Sequence, residues 1–250
     1  MSSNRLKMNA DKTQLIWLGT RQQLDKLTTT ELDLLSARVS FSTTVSDLGV
    51  LVDSQLSMAD HVTALSRACL FQLRQLRLVR SSLTTESAKT LVHAFVSIRL
   101  DYCNSLLYGV SDELLQKLQV IQNAAARVVT GARKFDHITP VLHELHWLPV
   151  RQRIRFKLAM TVYKCLSGLA PAYLADDCVL VSSVASRRHL RSAEARKLVV
   201  RRTRTVLGAR DFAVSSAVVC NSLLAALRVS SLTVETFARQ LKYYLFSCLN

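Results

Sequence analysis

Asp176 and Asp177 are the pair whose type best suits metal chemistry, because adjacent carboxylates at the tip of a tight turn can hold two divalent ions. Their setting argues against that role. Leu174 stands two residues before the pair, and Pro171 places it at a short helix instead of a hairpin. No third carboxylate or glycine-rich phosphate loop accompanies it, so both acids read as the end of a surface helix. His137, His143 and His146 cluster in HITPVLHELHW. His143 and His146 share a helix face at i and i+3, yet no cysteine or suitable acid completes a ligand set. Packing against Trp147, or a capping role, is the better reading. Cys69, Cys103, Cys165, Cys178, Cys220 and Cys248 are scattered singly, without a C-x-x-C pair. They read as small buried apolar side chains of a reduced, intracellular protein, nuclear or cytoplasmic. No catalytic residue, metal ligand or cofactor is expected.

What the composition offers instead is electrostatics. A formal charge of +15 and a pI near 10.0 imply a polyanionic partner, either nucleic acid or an anionic membrane surface. No run of about 20 apolar residues exists to span a bilayer, and MSSNRLKMNADK lacks the apolar core of a signal peptide. RNA or DNA, met mostly through phosphates and without a membrane, is therefore the expected partner. The candidate contacts are Arg67, Arg74 and Arg77 on one helix, Lys117 and Arg127 on a second, and Arg153, Lys157 and Lys164 on a third. Arg133 and Lys134 join them in the turn Gly131–Phe135, where Phe135 either stacks on a base or anchors the core. For each set the alternative is an ordinary solvated face. From Cys178 to about Arg204, Arg187, Arg188, Arg191, Arg196, Lys197, Arg201, Arg202 and Arg204 face only Glu194, forming a basic loop.

These side chains need helices to carry them. With 250 residues, 49% hydrophobic content, six Gly and three Pro, the chain favours long helices over many strands. The clearest follows Ser111, an N-cap, with Asp112 and Glu113 in the first turn and Gly131 as its stop. Leu114, Leu118, Ile121, Ala125 and Val128 form its apolar stripe. Asp60 to Arg80 is striped by Val62, Leu65, Cys69, Leu73 and Leu76. Another helix runs from Thr84 or Thr85 to about Tyr108, ended by Gly109. Thr139-Pro140 opens a short one ending near Trp147, with Pro in the favoured first position. Pro149 opens Val150 to Ser167, where Ile154, Leu158, Val162 and Leu166 line the apolar side and Gly168 is the stop. The last two span about Ala209 to Leu227 and Val234 to Cys248, the latter striped by Phe237, Leu241, Tyr244 and Cys248. Strands are expected at Thr13–Leu18, Arg38–Ser42 and Leu48–Val52, with Arg21 to Leu27 a short helix or a loop. One further strand is expected at Lys197 to Val200.

Several of these segments carry a family resemblance. LDYCNSLLYG and LLQKLQVIQNAAARVVTGARKFDHITPVLHELHWLPVRQRI resemble the region downstream of the catalytic core in non-LTR (LINE-type, jockey-like) retrotransposon reverse transcriptases. NRLKMNADKTQLIWLGT and DLGVLVDSQLSMADHV resemble the end of the polymerase palm; GLAPAYL, RTRTVLGARDFAVSSAVVCNSL and SLTVETFARQLKYYLF extend the likeness to the C-terminus. The resemblance implies a mainly α fold with a small N-terminal β remnant of the palm (1–57), thumb-like helices (58–135) and a C-terminal helical region (136–250). It implies a parent RNA-directed DNA polymerase that uses Mg²⁺ at aspartates lying before Met1. This chain is expected to be a truncated piece that grips template and primer and is no enzyme by itself. Leu174-Ala175-Asp176-Asp177 only imitates the polymerase aspartate box. Where the family shows Trp-Asn-Ser-Leu-Pro the chain has Cys220-Asn221-Ser222-Leu223-Leu224, which implies sequence decay and questions the packing of the last two helices. The alternatives are a helical protein-interaction module and a non-functional pseudogene product.

Overall fold

The computed structural model describes residues 9, 12–34, 37–184, 195–229 and 232–248. The fold is mainly helical with a small β portion, and the chain divides into two compact units, Met1–Arg67 and Ala68–Asn250. The division falls inside one helix, α2 (Ala59–Val79).

The first unit opens with α1 (Arg21–Leu24), fixed by a capping box in which Thr20 and Gln23 each satisfy the other's backbone N–H. Two separate antiparallel hairpins follow. β1 (Glu31–Leu34) pairs with β2 (Ala37–Ser40), and β3 (Thr44–Asp47) pairs with β4 (Val50–Asp53). Leu48 (φ 46°) and Gly49 (φ 82°) form the two-residue turn between β3 and β4, the left-handed pair that matches hairpin twist. The expected strand at Thr13–Leu18 is reduced to a single parallel bridge between Leu15 and Phe41. β1, a polar ELDL stretch with little strand signal, is the partner of β2, and Trp17 stacks on Phe41 at 4.9 Å.

The turn into α2 is tied by Asp53. Its carboxylate accepts the backbone N–H groups of Gln55, Ser57 and Met58 and the Ser57 hydroxyl. His61, one turn into α2, is buried, and its Nδ1 accepts the Leu51 N–H at 3.3 Å. Burial holds its pKa below the ordinary 6.5. As pH falls, the unfolded chain therefore takes up the proton first, and the folded unit loses stability. That contribution is complete above 6.5 and declines below it. Amide exchange at Leu51, corrected for its intrinsic pH dependence, should show easier opening on acidification, and His61→Gln should flatten the profile. A wild-type profile that is flat from pH 7 to about 5 would count against the buried neutral imidazole.

In the second unit, α3 (Thr85–Val92) is capped by the Thr84 hydroxyl and continues through a π turn at His93–Ser97 into α4 (Ile98–Asp101). The expected helix to Tyr108 stops there. Cys103 turns left-handed (φ 50°), and a 3₁₀ turn at Asn104–Leu107 leads to Gly109 (φ 72°). A Cβ on Gly109 would lie 2.8 Å from Arg210 Cγ, so both the backbone angle and the space require glycine. α5 (Asp112–Thr130) ends on Gly131 at φ 77°, and its expected stripe is buried throughout. Leu115, Gln122, Ala126 and Val129 are buried beside that stripe, because α3, α6 and α7 all pack on α5.

α6 (Ile138–Glu144) starts two residues before Pro140, which therefore sits third, not first. The position is tolerated because the first N–H groups of a helix have no partner within it. α7 (Val150–Leu166) follows Pro149. It was expected to bury one face, but Val150, Gln152, Ile154, Leu158, Ala159, Val162, Tyr163 and Cys165 spread the burial over a sector of roughly 220°. The cause is its central place: α5, α8 (Ala172–Ala175), α9 (Phe212–Ser222) and α10 (Val234–Ser247) all pack against it.

α10 is capped by Thr233 and buries Phe237, Leu241, Leu245 and Phe246. The expected line through Tyr244 and Cys248 gives way to one through Leu245, leaving Cys248 exposed. Phe237 stacks on Tyr163 at 4.1 Å, and the Tyr163 hydroxyl donates to the Leu232 carbonyl. Cys220 and Leu223 are buried, and the Asn221 amide both donates to and accepts from the backbone of Leu198 at 2.9 and 2.8 Å. That pincer ties α9 to the segment at Leu198. It also fixes the one bridge, Leu180 with Leu198, that stands where a strand at Lys197–Val200 was expected.

Candidate nucleic-acid interface

α2 carries its three arginines as the sequence implies. Arg67, Arg74 and Arg77 are exposed, and at about 100° per residue Arg74 and Arg77 lie roughly 60° apart round the helix. Among the described residues no acid is paired with them. Arg67 closes the first unit and Arg74 and Arg77 belong to the second.

On α5, Lys117 is exposed but Arg127 is engaged. Its Nε donates to the Arg133 carbonyl at 3.1 Å and its Nη2 to the Asp136 carbonyl at 3.3 Å. Arg127 thus shapes the turn after Gly131 and is not free to meet phosphate. Asp136 closes the same turn by accepting the Arg133 N–H at 2.6 Å. The result displays the Arg133 and Lys134 side chains, with Lys134 Nζ 5.5 Å from the centre of the Phe135 ring. Phe135 is 90% exposed, which removes the core-anchor alternative.

α7 separates the cations that its spacing grouped. Arg153 is drawn inward: Nη1 reaches both Asp101 oxygens at 2.9 and 2.7 Å, Nε donates to the Leu148 carbonyl at 2.9 Å, and the side chain is only 14% exposed. It is a partly buried ion pair that engages Nε and Nη1, unlike the exposed lysines of the same helix. Arg151 pairs with Asp112 at 2.6 Å, and Arg155 donates to the Ser222 hydroxyl. Lys157 and Lys164, seven residues apart, remain exposed without acid partners. In the basic loop, Arg187, Arg188, Arg191 and Glu194 lie outside the described residues. Arg201 pairs with Asp177 at 3.2 Å.

That pairing bears on the aspartates. Asp176 and Asp177 follow the four-residue α8, and Asp177 is neutralised by an arginine. Among the described residues no group of three or more histidine, cysteine or acidic side chains is placed to hold a metal ion. His143 packs its ring against Phe246 at 4.7 Å, not against Trp147. Cys165, Cys178 and Cys220 share one apolar cluster, where burial pushes Cys178 up to about 12 and Cys220 up to about 11. They remain neutral thiols, poor nucleophiles and poor metal ligands.

Four polar groups that support these surfaces escape a reading by spacing. Gln119 accepts the Val150 N–H at 2.9 Å, and Gln122, 1% exposed, donates to the Leu148 carbonyl at 2.8 Å. Together they fasten the start of α7 to α5. Arg80 reaches back to the end of α5 through the carbonyls of Val128 and Val129. Lys242 on α10 comes close to Arg153 across about 90 residues of chain, and its pKa is lowered by burial and by that charge. Among the described residues no helix is long and apolar enough to cross a membrane. Comparison with known proteins returns no matching family model, no matching curated protein and no matching solved structure.

Proposed function

We propose that the chain grips a nucleic-acid duplex by its phosphates, in the manner of the thumb-like part of a LINE-type RNA-directed DNA polymerase. The observation that carries the reading is the inventory of exposed cations without acid partners. Arg74, Arg77, Lys117, Lys134, Lys157 and Lys164 stay in solvent, although the fold pairs Arg151, Arg153 and Arg201 with carboxylates. These six cations lie on helix faces and turns, where they meet a polyanion without ordering a loop first. The sequence resemblance supports the same role. Fluorescence anisotropy of a labelled primer–template duplex, at two salt concentrations, tests it: affinity should fall steeply with salt and vary little with sequence. Salt-independent or absent binding would overturn the reading.

The chain alone should make no DNA on a primed RNA template with Mg²⁺ or Mn²⁺. The segments that carry the resemblance are those beyond the catalytic aspartates of the family, and Asp177 is held by Arg201. Incorporation that disappeared on changing Asp176 and Asp177 to asparagine would reverse that assignment.

A further inference from the structure

We propose that the cavity bounded by the α4 end, the turn before α7, α7 and α10 is a binding site for a nucleoside monophosphate. The site goes beyond the duplex grip, with which it shares only Lys157. It is a cavity of about 360 Å³, within the usual size of small-ligand sites.

Three features define the ligand. The first is charge. Arg153, Lys157 and Lys242 line the cavity with one carboxylate, Asp101, so three positive charges meet one negative and leave a net +2 before His93 and His146 are counted. Arg153 is held rigidly by Asp101 and the Leu148 carbonyl through Nη1 and Nε, which leaves Nη2 available as a fixed donor. Lys242 is half-buried and, among the described residues, has no carboxylate partner. Burial and the Arg153 charge both press its pKa below 10.5. A dianionic phosphate would relieve the repulsion and supply acceptors to the Lys242 ammonium and to Arg153 Nη2.

The second feature is an unpaired acceptor. Asn104 is 4% exposed; its Nδ2 donates to Asp101, but its Oδ1 is buried without a partner. A hydroxyl or amino group on the ligand would satisfy it. Third, Trp147 and Phe156 contribute aromatic surface to the wall. Phe156 lies one turn from Arg153 on the same α7 face. Inorganic phosphate would answer the first feature alone, and a sugar phosphate the first two. A base carried on a ribose phosphate answers all three. His93 enters the cavity from the π turn that interrupts α3 and α4, a distortion found often at functional sites.

The chain has two tryptophans, Trp17 and Trp147, so Trp17→Phe leaves Trp147 as a reporter inside the cavity. In that background, AMP should quench the fluorescence saturably and bind at least about tenfold more tightly than adenosine or inorganic phosphate alone. Lys242→Gln should weaken AMP by about tenfold or more, whereas Lys242→Arg, which keeps the charge, should stay within about threefold. Duplex binding measured on the same proteins reports the proposed function separately and should be unaffected by either change. Phosphate binding as tightly as AMP would overturn the nucleoside assignment. An unchanged Lys242→Gln protein, or a folded Lys242→Arg protein that does not bind, would overturn the site.

Discussion

Replacing Arg80 with alanine should lower the unfolding free energy of the helical unit by about 3 kcal/mol. Arg80 Nε donates to the Val128 carbonyl at 2.6 Å, Nη2 to that of Val129 at 2.9 Å, and Nη1 to that of Leu83 at 2.9 Å. Val128 and Val129 belong to the last turn of α5, whose final carbonyls have no acceptor role left within the helix. One guanidinium thus satisfies the end of the best-buried helix and places its positive charge against the negative end of the helix dipole. A charge-assisted hydrogen bond is worth about 1.5–3 kcal/mol, and half-exposure of the side chain keeps the sum near the lower bound for a pair. The thermal midpoint should fall by about 6–12 °C. Arg80→Lys should recover only part of the loss, since an ammonium lacks the planar fork that reaches three carbonyls. A drop below about 1 °C would mean that water replaces the arginine at no cost.

Arg80 also shows where a sequence stops being informative. α5 was legible because its signals are local: Ser111 before it, acids in its first turn, one apolar stripe and Gly131 after it. α2 and α10 were legible for the same reason. Arg74, Arg127 and Arg153 read alike in sequence, as cations on helix faces, yet only the first is free in the fold. Arg153 is decided by Asp101, 52 residues away, and Arg127 by a turn whose shape depends on Asp136. Periodicity locates a face but does not say what packs on it, so it could not foresee the burial round α7. Thr13–Leu18 failed for a related reason: strand propensity is realised only where a partner runs alongside, and within this segment only Leu15 is paired, with Phe41. Lys242 gave no signal, because its importance comes from the approach of α10 to α7.

Those distinctions fix which substitutions should change nucleic-acid binding. Lys157→Ala with Lys164→Ala, or Arg74→Ala with Arg77→Ala, should weaken binding to a primer–template duplex and to unrelated sequences alike. Each phosphate contact removed should lower the salt slope by about 0.9 on a B-form duplex, and an intact set of six contacts should lose about a thousandfold in affinity between 50 and 200 mM salt. An RNA–DNA hybrid changes the coefficient but not the sign. Arg127→Ala and Arg153→Ala should act differently, because both side chains already hold protein partners. Arg153→Ala leaves Asp101 without its cation and the Leu148 carbonyl with only the Gln122 amide donating to it, so it should lower the melting temperature while the salt slope of the folded fraction is kept. The comparison is decisive because all six residues carry the same charge: per charge removed, a general attraction to polyanions would weaken equally with each. If Arg153→Ala reduces the slope as much as Lys157→Ala does, the duplex is drawn by net charge alone and the exposed helix faces have no special part in holding it.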